Sequence, residues 1–225
     1  MENTFTLLAL LLLACGVGAL EIRGLRTAVT AYAAQGFFLA GLLAVAASVG
    51  PVHHLFAWAV TLVVSKGLII PWMMYRYAAA TSATEQEAEP RLGRAVTACL
   101  LALAVWYVGR DGMPWLLEGV QGAATAVPGG LGTAAAILVL ALYGIMTHRD
   151  TFKAAVAVGL LENGAHLLLA CVAYTIPEMI SIAVVTDVIL AIWLLLLVGR
   201  EAERGTGVRT DTALDRVGNE EVSRS

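Results

Sequence analysis

The sequence predicts an all-α polytopic membrane protein, a bundle of about seven transmembrane helices. Hydrophobic residues make up 59% of the 225 residues and charged residues 14%, and the mean hydropathy is +0.80. This composition is more apolar and less charged than that of an ordinary soluble domain. Apolar stretches long enough to cross a bilayer follow one another, and backbone groups in hydrocarbon must be paired within each stretch, which favours helices over strands.

The segments that we expect to cross the membrane are 3–20, 27–49, 53–77, 93–109, 129–147, 153–174 and 178–199. The first begins beside Glu2 and lacks the basic flank of a signal peptide, so we interpret it as a helix of the protein. We divide the chain into a first three-helix unit (1–77), an acidic loop with a connecting helix and an outer loop (78–128), a second three-helix unit (129–199) and a polar tail (200–225).

The distribution of Lys and Arg predicts an N-terminus outside and a C-terminus in the cytoplasm. With this orientation only Arg110 falls on the outer side, which is the bias of the positive-inside rule and favours an odd number of spans. The basic residues on the inner side are Arg23, Arg26, Arg76, Arg91, Arg94, Arg149, Lys153, Arg200, Arg204, Arg209, Arg216 and Arg224.

Three ionisable residues lie deep within predicted spans. A charged side chain at the bilayer centre costs about 2.5–3.5 kcal/mol on insertion scales, so each of them requires an explanation. Glu162 lies nine residues after Lys153, or about 14 Å along a helix axis. Asp187 lies nine residues after Glu178, at a similar depth. Lys66 is well inside the third span, where it must either lose its proton or pair with a buried carboxylate.

The sixth span contains the sequence GLLENGAHLLLA, in which Glu162 and His166 are four residues apart and therefore share one helical face. Acid, imidazole and amine groups held in different environments can exchange protons near physiological pH. We therefore predict a proton pathway formed by Glu162, Asp187, Lys66 and His166.

A structural role for the same residues is the alternative. The two acids could pair with Lys66 or with polar groups only to hold helices together, and His166 could be a neutral histidine bonded to a backbone carbonyl. Polar contacts between membrane helices are usually made by Ser, Thr or Asn, which favours a functional role for the acids.

The chain shows no pattern for a metal or a cofactor. Its cysteines, Cys15, Cys99 and Cys171, are isolated within apolar spans and form neither a CxxC motif nor a disulfide framework. We predict no bound cofactor, no metal and no catalytic residue in this chain, and no nucleic-acid partner.

The two three-helix units match each other weakly at a constant offset. Setting residues 27–46 against 154–173 pairs Gln35 with Glu162, and setting 60–77 against 181–198 pairs Lys66 with Asp187. The match predicts a parallel duplication whose second copy is the chemically active one, as in transporters with sites near the midplane. Shared apolar composition is the other explanation.

The stretch 138–200 resembles subunit K of NADH-quinone oxidoreductase (complex I) and the matching subunit of Mrp cation antiporters. The residues that carry the resemblance are THRDTFKAAVAVGLLENGAHLLLA followed by PEMISIAVVTDVILAIWLLLLVGR, with a basic hairpin, an ENGAH segment and a second carboxylate in the next helix. The whole chain is similar to the hydrogenase-4 component E family of formate hydrogenlyase complexes.

This resemblance implies that Glu162 stands where the family's first membrane glutamate stands and Asp187 where the second stands, with one methylene less. It also implies a non-catalytic subunit of an oxidoreductase complex of the group 4 hydrogenase type in the cell inner membrane. Its partners would be antiporter-like and small hydrophobic membrane subunits, and other chains would carry the metal centres.

Three functions remain open from the sequence. The first is proton translocation by the buried carboxylates. The second is a structural adaptor without its own proton path. The third is an Mrp-type cation and proton antiporter subunit, which the second half alone would permit but against which the four additional helices argue.

Overall fold

The computed structural model describes residues 2–49, 55–80, 92–112, 129–148, 150–172 and 178–206, and these are almost entirely helical. The predicted all-α fold class is confirmed. The helices are α1 (Glu2–Glu21), α2 (Leu25–Val49), α3 (Leu55–Leu62), a π-helical segment (Val63–Ile69), α4 (Ile70–Ala80), α5 (Leu92–Gly112), α6 (Gly130–Thr147), α7 (Thr151–Val172) and α8 (Glu178–Thr206).

Within the described residues, five segments are both long and apolar enough to cross a membrane: Asn3–Glu21, Leu25–Ser48, Leu55–Ala79, Gly130–Thr147 and Thr151–Val172. The third of these, here called the third span, consists of α3, the π segment and α4 stacked end to end. Helix α5 packs on α6, and α8 packs on α7 and on the third span. The chain is therefore a polytopic helical membrane bundle, and the total of seven crossings stays a prediction.

The π segment interrupts the third span at its middle. The amide of Ile70 donates to the carbonyl of Ser65, five residues earlier, whereas an α-helix would use the carbonyl four residues earlier. Pro71, which follows directly, has no amide hydrogen, and in an α-helix its ring would crowd the carbonyl of Gly67. A local π turn is one way in which membrane helices accommodate proline, so Pro71 explains why the helix widens around Lys66.

Glycines allow close approach of neighbouring helices, as is common between membrane helices. A Cβ on Gly132 of α6 would lie 2.5 Å from the backbone nitrogen of Arg110 in α5. A Cβ on Gly164 of α7 would lie 2.8 Å from the side chain of Leu138 in α6. Any larger residue at either position would force the two helices apart.

Basic residues gather at one end of the bundle, which we call the basic end. The Lys153 ammonium, in the first turn of α7, donates to the carbonyls of Ala19 (3.0 Å) and Ile22 (2.6 Å) at the end of α1. This is a favourable place for a cation, because the last carbonyls of a helix lack partners within the helix. The end of α4 reaches the same region, where the Tyr75 hydroxyl donates to the carbonyl of Arg26 at 3.4 Å.

A second contact at the basic end joins α1, α5 and α6. The guanidinium of Arg94 lies 2.6 Å from Nδ1 of His148, and Nε2 of His148 lies 3.2 Å from the Glu21 carboxylate. At the opposite end of α5, Arg110 lies over the ring of Trp106 at 5.3 Å. Of the described basic residues, Arg94 and Lys153 therefore lie at one end and Arg110 at the other. The direction in which the bundle crosses the membrane stays a prediction.

Several predicted features lie outside the described residues: most of the acidic loop (81–91), most of the outer loop (113–128) and the tail from residue 207 onwards. Helix α8 continues to Thr206, past the predicted end at residue 199. The sequence Arg-Glu-Ala-Glu-Arg at 200–204 explains this extension, because all five residues are of good helix-forming types.

Candidate functional site

Helices α2 and α7 and the π segment bring six buried polar side chains together in the middle of the bundle. We call these residues the polar cluster; each of them is at most 5% exposed. They are Tyr32 and Gln35 from α2, Lys66 from the π segment, and Glu162, Asn163 and His166 from α7.

Lys66 and Glu162 form an ion pair inside the cluster. Nζ of Lys66 lies 3.0 Å from Oε2 of Glu162, and the two side chains are 0% and 4% exposed. This distance is within the hydrogen-bonding range of an ammonium and a carboxylate. In a site with so little access to water, the charge of each group depends strongly on the charge of the other.

Backbone packing holds Lys66 in place. A Cβ on Gly36 of α2 would lie 3.1 Å from the carbonyl carbon, the carbonyl oxygen and the Cβ of Lys66. Gly67, which directly follows Lys66, faces the ring of Phe37 in α2, and a Cβ on Gly67 would lie 3.0 Å from this ring. The π segment and α2 therefore fit together through two small residues, and this contact aims Lys66 at α7.

His166 lies on the other side of Glu162. Its Nδ1 is 3.7 Å from Oε1 of Glu162 and 3.2 Å from the backbone carbonyl oxygen of the same residue. Because a carbonyl can only accept, Nδ1 is the protonated nitrogen in this contact, and in the neutral ring Nε2 is the acceptor. The acid beside His166 is what proton transfer requires, and the bond to a backbone carbonyl is what a structural histidine would form. The geometry therefore fits both roles predicted for this residue.

A pair of amides lies beside the ion pair. Asn163 donates from Nδ2 to Oε1 of Gln35 at 2.8 Å, and both residues are fully buried. Sequence reasoning noted Gln35 as a repeat position and Asn163 as part of the ENGAH segment but gave neither a role. Each of them places a primary amide within an apolar span. Because such an amide needs a hydrogen-bond partner in hydrocarbon, it could have indicated a contact with another helix.

Tyr32 is a member of the cluster that sequence reasoning missed. Its side chain is fully buried against Gly159, where a Cβ would lie 2.5 Å from the Tyr32 hydroxyl. Tyr32 precedes Gln35 by three residues, so both project from one face of α2. That spacing is the signal by which it could have been found.

The cluster has unused hydrogen-bonding capacity. Beside the ion-paired Nζ of Lys66 and carboxylate of Glu162, four buried polar atoms of the cluster have no hydrogen-bond partner among the described residues: Oη of Tyr32, Nε2 of Gln35, Oδ1 of Asn163 and Nε2 of His166. Most buried polar groups in proteins are bonded to protein or to ordered water. These donors and acceptors lie close together inside the bundle, so they are suited to form a chain of hydrogen bonds.

The structure brings three of the four predicted pathway residues together, namely Lys66, Glu162 and His166. The fourth, Asp187, belongs to α8, but its side chain lies outside the described part of the structure. Among the described residues, no group of three or more His, Cys, Asp or Glu is placed to hold a metal ion.

Comparison with known proteins gives one group of relatives. The chain is 28% identical over 200 residues to hydrogenase-4 component E of Escherichia coli strain K12, covering 89% of this chain and 90% of the relative. The same values apply to hydrogenase-4 component E of Escherichia coli O157:H7 and of Shigella flexneri. The chain is thus similar to hydrogenase-4 component E over nearly its whole length. No family model matches the chain, and no solved structure matches it.

The resemblance to the hydrogenase-4 component E family, predicted from the sequence, is confirmed by these relatives. Any stretch of 200 residues in a chain of 225 includes residues 26–200. The match therefore covers the predicted second three-helix unit, most of the first and the whole polar cluster. The likeness of the second half to subunit K of complex I stays a prediction.

Proposed function

We propose that the chain is a membrane subunit of a hydrogenase complex and that its polar cluster takes part in proton translocation. The relatives are named as components of a hydrogenase, which supports the membership. The proposed partners are other membrane subunits of the complex, antiporter-like ones among them. The proposed location is the cell inner membrane, with the basic end on the cytoplasmic side.

The observation that carries the proposal is the ion pair of Lys66 and Glu162, 3.0 Å apart and almost without exposure. Moving two charges from water into a buried site costs free energy, and this cost can exceed the gain from their attraction. Stabilisation of the fold is therefore a weak explanation for the buried pair. Ionisable residues within membrane helices mark functional sites, proton relays and ion pathways among them. A functional role therefore accounts for the pair better than a stabilising one.

The arrangement suggests how the residues act. When the Glu162 carboxylate accepts a proton, its attraction to the Lys66 ammonium is lost, and when it releases the proton the pair forms again. His166 can accept a proton at Nε2 and release the proton of Nδ1 to the Glu162 carboxylate, whose Oε1 lies 3.7 Å from Nδ1. We assign Asp187 to the second acidic position of the pathway, in line with its place in the PEMISIAVVTD segment.

Replacement of Glu162 by Gln tests the proposal, because the amide fills the same volume but does not take up protons. The complete complex carrying Glu162→Gln should assemble normally and lose coupled proton movement in proteoliposomes. Asp150→Asn is the matched control. It is the same chemical change at the start of α7, where Asp150 accepts the Phe152 amide at 2.8 Å and Asn caps equally well. Proton movement that survives Glu162→Gln would reject the proposal.

A structural adaptor is the second candidate, and the Gln35 and Asn163 amide bond of 2.8 Å favours it. A neutral amide pair links α2 to α7 without offering a titrating group. If the cluster serves mainly to fix helix register, Glu162→Gln and Asn163→Leu should both reduce the yield of assembled complex on native gels. Proton translocation instead requires that Glu162→Gln leave that yield unchanged.

A further inference from the structure

A groove at the basic end lies between α4 and α8, away from the polar cluster. Its cavity volume is about 390 Å³, and we call it the arginine groove. Its lining includes Trp72 and Arg76 from α4 and Trp193, Leu196, Leu197 and Arg200 from α8.

Two guanidinium groups give the groove its charge. Arg76 and Arg200 are both exposed, and within the described part of the chain neither forms an ion pair with a carboxylate. The neighbouring carboxylate, Glu201, is not part of the lining. Guanidinium groups bind phosphate oxygens through paired hydrogen bonds, so two of them in one groove favour an anionic, phosphate-containing ligand.

The other walls are those of a membrane interface. Trp72 is 58% exposed and Trp193 is 49% exposed, and the Arg76 guanidinium lies over the Trp72 ring at 5.2 Å. Tryptophan is favoured at the level of lipid headgroups. Leu196 and Leu197 continue the groove towards the apolar middle of α8. The groove is therefore polar at its outer end and apolar further in, which matches the headgroup and the acyl chain of a phospholipid.

We propose that the arginine groove binds one anionic phospholipid, with its phosphate between Arg76 and Arg200 and the start of an acyl chain along Leu196 and Leu197. The cavity lies in the size range of small-ligand pockets, which suits a headgroup and part of one chain. Basic pockets between membrane helices on the cytoplasmic side bind such headgroups. This proposal does not depend on the proton pathway.

The test is lipid binding to the purified full-length chain, measured by native mass spectrometry from mild detergent. Phosphatidylglycerol should bind in preference to phosphatidylcholine at one site. Each basic residue near the membrane surface contributes about fivefold in affinity for an anionic lipid, so Arg76→Gln with Arg200→Gln should weaken phosphatidylglycerol binding about 30-fold. Replacing both arginines by Lys should weaken it less, because charge remains without the planar fork.

Arg110→Gln is the matched control, because Arg110 also lies over a tryptophan but at the opposite end of the bundle. It should leave phosphatidylglycerol binding unchanged. Equal binding of both lipids, or an equal loss in the control, would overturn the proposal. Displacement of the lipid by millimolar inorganic phosphate would indicate a site for the free ion and contradict the assignment to a lipid. A groove closed to lipid by another subunit in the assembled complex would contradict it as well.

Discussion

At the scale of single residues, the protonation of Glu162 and the charge of Lys66 form one coupled unit. The two groups face each other across 3.0 Å between helices far apart in sequence. Spacing within one helix predicted that Glu162 and His166 share a face, because four residues make about one turn. No spacing rule relates residue 66 to residue 162. The sequence therefore predicted that Lys66 pairs with a buried carboxylate but did not identify which one.

Removing the Lys66 ammonium while the Glu162 carboxylate stays in place should destabilise the bundle. Lys66→Met leaves the Glu162 carboxyl buried without a counter-ion, and we expect a loss of about 3 kcal/mol in the free energy of unfolding. Lys66→Met combined with Glu162→Gln removes both charges and should recover most of that loss. Reversible unfolding of the purified chain in detergent measures both variants. A double variant no more stable than Lys66→Met would show that the two residues are not energetically coupled.

At the scale of helices, close packing of α2 against the π segment sets the position of Lys66. The sequence predicted a continuous third span, and the π segment was not foreseen. Its physical cause, Pro71 four residues after Gly67, is visible in the sequence. However, proline in a membrane helix can equally produce a kink, so the type of distortion depends on tertiary packing.

Two glycines of α2 give a matched test of this packing. A Cβ on Gly36 would lie 3.1 Å from backbone atoms of Lys66, which cannot move aside as a side-chain end can, whereas a Cβ on Gly41 would meet nothing within 4 Å. We expect Gly36→Ala to lower the free energy of unfolding by about 1–3 kcal/mol through overpacking. Gly41→Ala should be neutral or slightly stabilising. Equal effects of the two changes in the same unfolding assay would contradict the close contact.

At the scale of the whole molecule, charge segregation sets the expected direction of the bundle. The described basic residues Arg94 and Lys153 lie at one end, and Arg110 lies at the other. Composition and the lengths of apolar stretches were enough to predict the fold class. They did not show how helices far apart in the sequence pack on one another, because that depends on glycine contacts and polar pairs between these helices.

The predicted orientation can be measured with reporters at the chain ends. A fluorescent protein that matures only in the cytoplasm should be active when fused after Ser225, and a phosphatase that works only outside should be inactive there. Moving basic residues from the inner loops to the outer loop should weaken this preference. A C-terminal phosphatase fusion with full activity would contradict the orientation.

The central claim is that the Glu162 carboxyl changes its protonation state during turnover. Infrared difference spectroscopy of the complete complex, recorded between its resting and working states, measures this directly through the stretching band of a protonated carboxyl group. We expect such a band, shifted in heavy water, absent in Glu162→Gln and retained in Asp150→Asn. Identical difference spectra for the unaltered complex and Glu162→Gln would contradict it.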